Sequence, residues 1–277
     1  MADVYKLAEQ FGEAAIAIDD IYKFIVEPGA VMRNYVTEKN GFIITTKGNA
    51  TVDFNDSLYH LSPGVIVHGA PDMTINANVT SPTSWEYYLI LYGLGEGMPR
   101  KDAEIYTHFE LNTGVNSRIQ ELLQIMKSTT DSSDRMRYLR AKSLFFDVLY
   151  EVFVSSQYCI YRKSQQASVV EAQQFIRSHF AEHLSLGELA ALHGMTAGNF
   201  SYLFHKYFGI RPMDYLTQCR MNQAKQLLAA TDLPVQEISA QVGYSDPMYF
   251  SRVFKKHTGT SPSRFPSRAR SGLHIRP

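Results

Sequence analysis

Two short stretches near the carboxy-terminal end of the sequence carry side chains suited to a base edge or a phosphate. The first holds Ala197, Gly198, Asn199, Ser201, Tyr202, His205 and Lys206; the second holds Asp246, Met248, Tyr249, Arg252, Lys255 and Lys256. A guanidinium such as that of Arg252 can give two parallel hydrogen bonds to the O6 and N7 acceptors of guanine, while ammonium and hydroxyl groups bond phosphate oxygens. To act together these groups must share a face. In the first stretch Phe200, Leu203, Phe204 and Phe208 recur at three- and four-residue spacing, which defines a buried helical stripe and turns Gly198, Ser201, Tyr202 and His205 outward. In the second, Phe250, Val253 and Phe254 point inward and leave Met248, Tyr249, Arg252, Lys255 and Lys256 available. Tyr202 and Tyr249 also have a plainer reading as half-buried packing residues.

The two stretches belong to an internal duplication. Leu186-x-Glu188-Leu189-Ala190-Ala191-x-x-Gly194 matches Val235-x-Glu237-Ile238-Ser239-Ala240-x-x-Gly243 at an offset of 49. Phe200-Ser201-x-Leu203-Phe204-x-Lys206-x-x-Gly209-x-x-Pro212 matches Phe250-Ser251-x-Val253-Phe254-x-Lys256-x-x-Gly259-x-x-Pro262 at an offset of 50, so the second copy has one more residue in its turn. Each copy holds what a helix-turn-helix requires: Gly194 and Gly243 can take the positive φ that stops one helix, and the hydroxyls of Thr196 and Ser245 can cap the next. Between the copies, Pro212 to Ala230 reads as one helix of 19 residues, about 28 Å long at about 1.5 Å per residue. Recognition helices entering successive major grooves on one face of a duplex lie about 34 Å apart, a separation that this rod plus the offset of its two units can reach.

Upstream the periodicity differs. From Ile21 to about Leu94 short β-branched and aromatic runs, among them 41–46, 50–54, 64–68 and 85–92, alternate with turn residues at 47–49, 55–56 and 63–64, the rhythm of an antiparallel sandwich or barrel able to hold one ligand. His68, Trp85 and Tyr87 are the candidate ligand contacts in it. An ordinary hydrogen-bonded role suits His68 better than a metal role, because only His60 lies near in sequence; Trp85, Tyr87, Tyr88 and Tyr92 line either a pocket or the core. Val115–Met126 and Asp134–Gln157 have helical spacing. Tyr138, Ala141, Phe145, Val148 and Val152 form a heptad seam flanked by Leu144, Leu149 and Phe153, which can pack on the barrel, on a second copy, or on both. Residues 163–168 are polar, lack periodicity and read as a linker.

The 277 residues suit two domains, and 45% hydrophobic content is enough for real cores. The 27 basic and 27 acidic side chains divide 15 to 20 over residues 1–167 and 12 to 7 over residues 168–277, so a basic module sits beside an acidic one. Cys159 and Cys219 fall in helical stretches and read as small buried residues in a reducing compartment rather than a disulfide framework. With no leader pattern and no apolar run of membrane-spanning length, the expected location is the cytoplasm, with no membrane partner.

The region from about Val169 to Phe265 resembles the DNA-binding domain of the AraC/XylS family. The segment Ile238-Ser-Ala-Gln-Val-Gly-Tyr-Ser-Asp-Pro-Met-Tyr-Phe-Ser-Arg-Val-Phe-Lys-Lys-His-Thr-Gly-Thr-Ser-Pro carries the likeness. The resemblance implies recognition helices near Ala197–Phe208 and Asp246–His257, with the thirteen residues of the two opening stretches as the DNA-facing set. It also implies that Arg220 makes an intramolecular salt bridge rather than a phosphate contact. The sequence departs from the family after Phe265, where Pro266 replaces a basic residue and begins an arginine-containing tail. The amino-terminal half is similar to the cupin-like sensor domain common in that family, without the histidine and carboxylate set of metal-binding cupins, so no metal and no cofactor are expected.

The expected fold is therefore two domains. Residues 1–162 form a mainly β cupin-like barrel with an α-helical dimerisation segment, 163–168 a linker, 169–266 an all-α double helix-turn-helix, and 267–277 a disordered tail. The expected function is sequence-specific transcription regulation controlled by a small-molecule effector. Double-stranded DNA, a second copy of the chain and RNA polymerase are the implied partners, and a sugar leads the effector classes ahead of siderophores and aromatic acids. The competing reading is an effector-independent activator whose barrel only dimerises or contacts a partner. An enzyme reading comes last: no nucleophile elbow, phosphate-cradling glycine loop or metal-ligand cluster is visible.

Overall fold

A computed structural model describes residues 3–95, 103–131 and 135–265. The chain divides into two compact units, Met1–Tyr161 and Arg162–Pro277.

The first unit opens with helix α1 (Val4–Glu13), followed by strands β1 (Ile16–Val26), β2 (Val31–Val36), β3 (Asn40–Lys47), β4 (Ala50–Phe54), β5 (Ser57–Leu61), β6 (Val65–Gly69), β7 (Thr74–Val79), β8 (Trp85–Leu94) and β9 (Phe109–Asn112). Helix α2 (Ser117–Thr130) and the start of α3 (Arg137–Ser178) complete it. The strands form two antiparallel sheets, ordered β1-β8-β3-β6-β9 and β2-β7-β4-β5. Asn55 and Asp56, both at positive φ, make the two-residue turn of the β4–β5 hairpin where turn residues were expected.

Because side chains alternate along a strand, the five-stranded sheet serves two separate cores. One face carries Phe42, Ile44, Ile66, Ile90 and Tyr92 against α1, α2 and α3; the other turns Ile43, Val67, Trp85 and Tyr87 toward the four-stranded sheet. The α3 seam goes into the first of these cores: Ala141, Leu144, Phe145, Val148, Leu149, Val152 and Phe153 are all buried. Tyr138 is the correction, since it is exposed at the start of α3 beside the guanidinium of Arg137.

His68 sits in the helix-side core, fully buried. Its Nδ1 is 2.9 Å from the Thr107 carbonyl, its Nε2 is 2.7 Å from the Tyr92 hydroxyl, and its ring stacks on Phe109 at 4.6 Å. The expectation of an effector contact is corrected here. The parity of β6 turns His68 away from the space between the sheets, and Tyr88 and Tyr92 on β8 likewise face the helices.

The second unit contains the last turns of α3, then α4 (Leu186–Leu192), α5 (Ala197–Phe208), α6 (Pro212–Ala230), α7 (Val235–Gln241) and α8 (Pro247–Thr258). Residues 163–168, expected as a linker, are helical backbone within α3 and mostly exposed. Lys, Gln and Ala favour helix intrinsically, and a helix exposed all round needs no apolar stripe, so periodicity was silent there. Both cysteines are half-buried and free. The arginine-containing tail lies outside the described residues.

Burial holds the His68 imidazole neutral, with its pKa lowered to about 4; its hydrogen bond to Thr107 opposes that shift only partly. The unfolded chain takes up a proton near pH 6.5 and the folded one only near 4, so this contribution to stability is complete above about pH 6.5 and is lost as pH falls toward 4. The gap corresponds to on the order of 3 kcal/mol. Trp85 is the single tryptophan and lies in this unit, so urea titrations followed by its fluorescence read the unit directly. We expect an acid-side loss of stability in the wild type that is markedly shallower in His68→Gln; equal slopes would assign the loss to other groups.

Candidate nucleic-acid interface and interior cavity

Each copy of the duplication becomes two short helices set against α6. In the first, Ser185 caps α4 through a reciprocal pair: its hydroxyl accepts from the Glu188 N–H and its own N–H donates to the Glu188 carboxylate. Gly194 has φ +63°, and the Thr196 hydroxyl accepts from the Asn199 N–H to start α5, as expected. In the second copy Gly243 has φ +83°, but the cap of α8 is Asp246, whose carboxylate accepts from the Met248 N–H at 2.8 Å. Ser245 was expected in that role. The extra turn residue and Pro247 at the first helical position move the cap one residue on.

The inward stripes form as the spacing requires. Phe200 and Phe204 are sealed in one core with Leu189 and Leu216; Phe250 and Phe254 are sealed in another with Ile238, Met221 and Ala224. Helix α6 contributes to both, so it ties the two copies together. On the opposite face of α5, Gly198, Asn199, Tyr202, His205 and Lys206 are exposed, while Ala197 and Ser201 are half-buried. On α8, Asp246, Met248, Tyr249, Arg252, Lys255 and Lys256 are exposed. The packing reading of the tyrosines fails: Tyr202 is 63% and Tyr249 52% exposed. Each instead lies beside a cation, Lys206 Nζ at 6.0 Å from the Tyr202 ring and Arg252 Cζ at 5.8 Å from the Tyr249 ring. The basic residues in the last turn of each helix also complement the negative end of its dipole.

Arg220 has no carboxylate partner among the described residues, so the implied salt bridge does not form. Its guanidinium donates to the backbone carbonyls of Phe180 and Glu182. Sequence spacing gave no sign of this, because the partners lie about forty residues away in a loop without a motif.

Within the first unit, the space between the sheets holds two adjoining cavities of about 190 and 540 Å³ that share Met32, Ile43, Ile75 and Tyr87. Trp85 lines the smaller one. Its indole N–H is 3.2 Å from the Thr45 hydroxyl, and its ring stacks on Tyr87 at 4.0 Å. Phe24 also stacks on Tyr87, with ring centroids 5.2 Å apart. Burial raises the Tyr87 phenol to about 12, so its hydroxyl is a neutral donor well into the alkaline range. Of the three candidate contacts, Trp85 and Tyr87 are brought together and His68 is left out. Phe24 and Tyr22 were missed, although their register opposite Tyr87 and Leu89 follows from β1 pairing with β8. Among the described residues no group of three His, Cys, Asp or Glu side chains is placed to hold a metal. No helix among them is long and apolar enough to cross a membrane.

Two solvent-facing helices, each the second of a helix-turn-helix and each anchored to one rod, define a bipartite DNA-binding module. Comparison with known proteins agrees. Residues 189–268 match the family described as "Helix-turn-helix domain". Over 248 residues, 84% of the chain, the sequence is 28% identical to the lactose operon transcription activator of Staphylococcus xylosus, 85% of which is covered. It is 39% identical over 98 residues, 35% of the chain, to the arabinose operon regulatory protein of Salmonella typhimurium strain LT2, of which the match spans 35%. The C-terminal domain of AraT, a response regulator from Geobacillus stearothermophilus, aligns at 34% identity with a TM-score of 0.37, over 40% of this chain and 91% of that one. The second unit thus carries a helix-turn-helix domain of the AraC type, and the chain is similar over most of its length to an operon transcription activator.

Arg252 and Lys255 are both exposed on α8, and we propose that the first reads a base edge and the second meets phosphate. Replacing Arg252 by Ala should cost about 1–3 kcal/mol on the preferred duplex and relax selectivity at one base pair. Lys255→Ala should weaken binding to all duplexes alike and lower the salt dependence. Competition binding against single-base variants separates the two; unchanged selectivity in Arg252→Ala removes it from the reading set.

Proposed function

We propose that this regulator reads an asymmetric site across two successive major grooves, with Gly198, Asn199, Ser201, Tyr202, His205 and Lys206 on one and Met248, Tyr249, Arg252, Lys255 and Lys256 on the other. Asp246 serves this surface by capping α8. The supporting observation is the duplicated exposed face, each half backed by its own phenylalanine pair and both anchored on α6. Two contact patches on one rigid domain suit a site with two unequal halves, because the exposed residues of α5 and α8 differ.

The first unit, in this reading, takes a small molecule in the space between its sheets. The lining is apolar and aromatic, with Glu38 and Lys39 among the few charged residues and Tyr87 a neutral hydroxyl donor. Such a site favours an uncharged ligand that offers an apolar ring face and a few hydroxyls. The relatives named for lactose and arabinose operons favour a sugar or glycoside. Leu139, Tyr150 and Val154 on α3 stay exposed after the seam is buried, which suits contact with a second copy of the chain. RNA polymerase is the partner through which an activator of this kind works, inside the cytoplasm.

Selection from a random duplex library with the full-length protein should enrich sites with two conserved blocks, bound with an affinity that falls steeply with salt. Trp85 fluorescence, titrated with lactose, L-arabinose and related glycosides, should report the ligand. Tyr87→Ala should weaken that ligand tenfold or more, on the order of 1.4 kcal/mol, while leaving DNA binding without ligand unchanged. Enrichment of no sequence would contradict the DNA reading; a Trp85 signal insensitive to the Tyr87 substitution would contradict the cavity.

A further inference from the structure

Positions that are equivalent in the duplication meet different surroundings, and the difference marks where the two copies join. A Cβ at Gly194 would meet nothing within 4 Å. One at Gly243 would lie 2.6 Å from the Ala181 carbonyl oxygen and 3.0 Å from Arg220 Nη2. Ala181 belongs to the segment that leads into the first copy, and Gly243 is the turn of the second. Their backbones therefore touch at a point where only a glycine fits. Arg220, on α6, closes the same contact. Its Nε donates to the Phe180 carbonyl at 2.7 Å and its Nη2 to the Glu182 carbonyl at 2.8 Å, while its Cζ lies 5.1 Å from the centre of the Tyr244 ring. Tyr244 in turn lies 6.0 Å from Tyr249, the ring on which Arg252 rests. A chain of contacts thus runs from the rod to the second reading face.

We propose that Arg220 and Gly243 form a seam that fixes the angle between the two helix-turn-helix units, and so sets the spacing of DNA half-sites the domain accepts. The inference rests on the bipartite reading above. A rod alone fixes distance along its axis but leaves each unit resting on a separate small core. The seam adds a second point of attachment, and two points define an angle. Only a guanidinium can supply it, because the planar fork reaches two carbonyls at once and still offers a flat face to an aromatic ring. A lysine keeps the charge and loses both features. When both halves must engage together, the gain over one half alone depends on their being held in register with the duplex.

The test uses the full-length protein and the duplex recovered by selection with the wild type. Dissociation constants are measured on the intact site, on duplexes with either half scrambled, and on a series with one to three base pairs added or removed between the halves. Arg220→Lys should bind the scrambled duplexes within about twofold of wild type. It should lose about tenfold or more on the intact site and show a flattened dependence on spacing. Gly243→Ala should reproduce this pattern, whereas Gly194→Ala, which carries the same backbone strain without the contact, should not. Titration of the active fraction removes any effect of incomplete folding, which would scale all duplexes equally. Equal losses on intact and scrambled duplexes, or a spacing preference as sharp as wild type in Arg220→Lys, would overturn the proposal. A wild type with no spacing dependence would instead overturn the bipartite reading itself.

Discussion

Helices α5 and α8 are each oriented by the pair of phenylalanines on their reverse side. Phe200 and Phe204, with ring centres 5.8 Å apart, and Phe250 and Phe254, at 5.7 Å, are wholly buried, and they bury against opposite ends of the same helix. Leu216 near the start of α6 belongs to the first core, while Met221, Ala224 and Leu228 farther along belong to the second. Removing a buried phenylalanine from so small a core typically costs about 3–5 kcal/mol, a large part of the stability of a domain this size. The exposed residues can vary to suit a new DNA sequence, but the wedge behind them cannot without moving the face it supports.

The first unit obeys a related constraint. One sheet separates two cores, and strand parity alone decides which residues enter which. On β8, Trp85 and Tyr87 face the cavity between the sheets, whereas Tyr88 and Tyr92 face the helices. His68 shares the helix side, where burial holds the imidazole neutral and Thr107 and Tyr92 give its two nitrogens hydrogen-bond partners. The cavity lining and the helix packing are thereby kept on opposite faces of a single layer of backbone. A ligand in the cavity would touch the same strands that α3 packs against, which makes this sheet the shared element of the unit.

The second unit was legible because its signals are local. Helix stripes, turn glycines and a proline at a first helical position act within a few residues, and all of them appeared where the spacing put them. The cap of α8 was misplaced by one residue because Ser245 and Asp246 are both able to cap, and Pro247 decides between them. Much of the first unit was hidden. Strand β2 is exposed throughout and has no alternation to read, and α1 was not seen at all. The role of His68 required knowing which neighbours flank β6 in the sheet, a long-range fact. Arg220 was hidden for the same reason, since its carbonyl partners carry no side-chain signature.

In the proposed complex, two faces of one domain meet neighbouring turns of a duplex. Guanine-N7 methylation interference on the selected duplex tests it most directly, because N7 lines the major groove. We expect two clusters of interfering guanines, centred about 10 base pairs apart on one side of the helix. A single cluster, or two clusters half a turn apart on opposite sides, would contradict it.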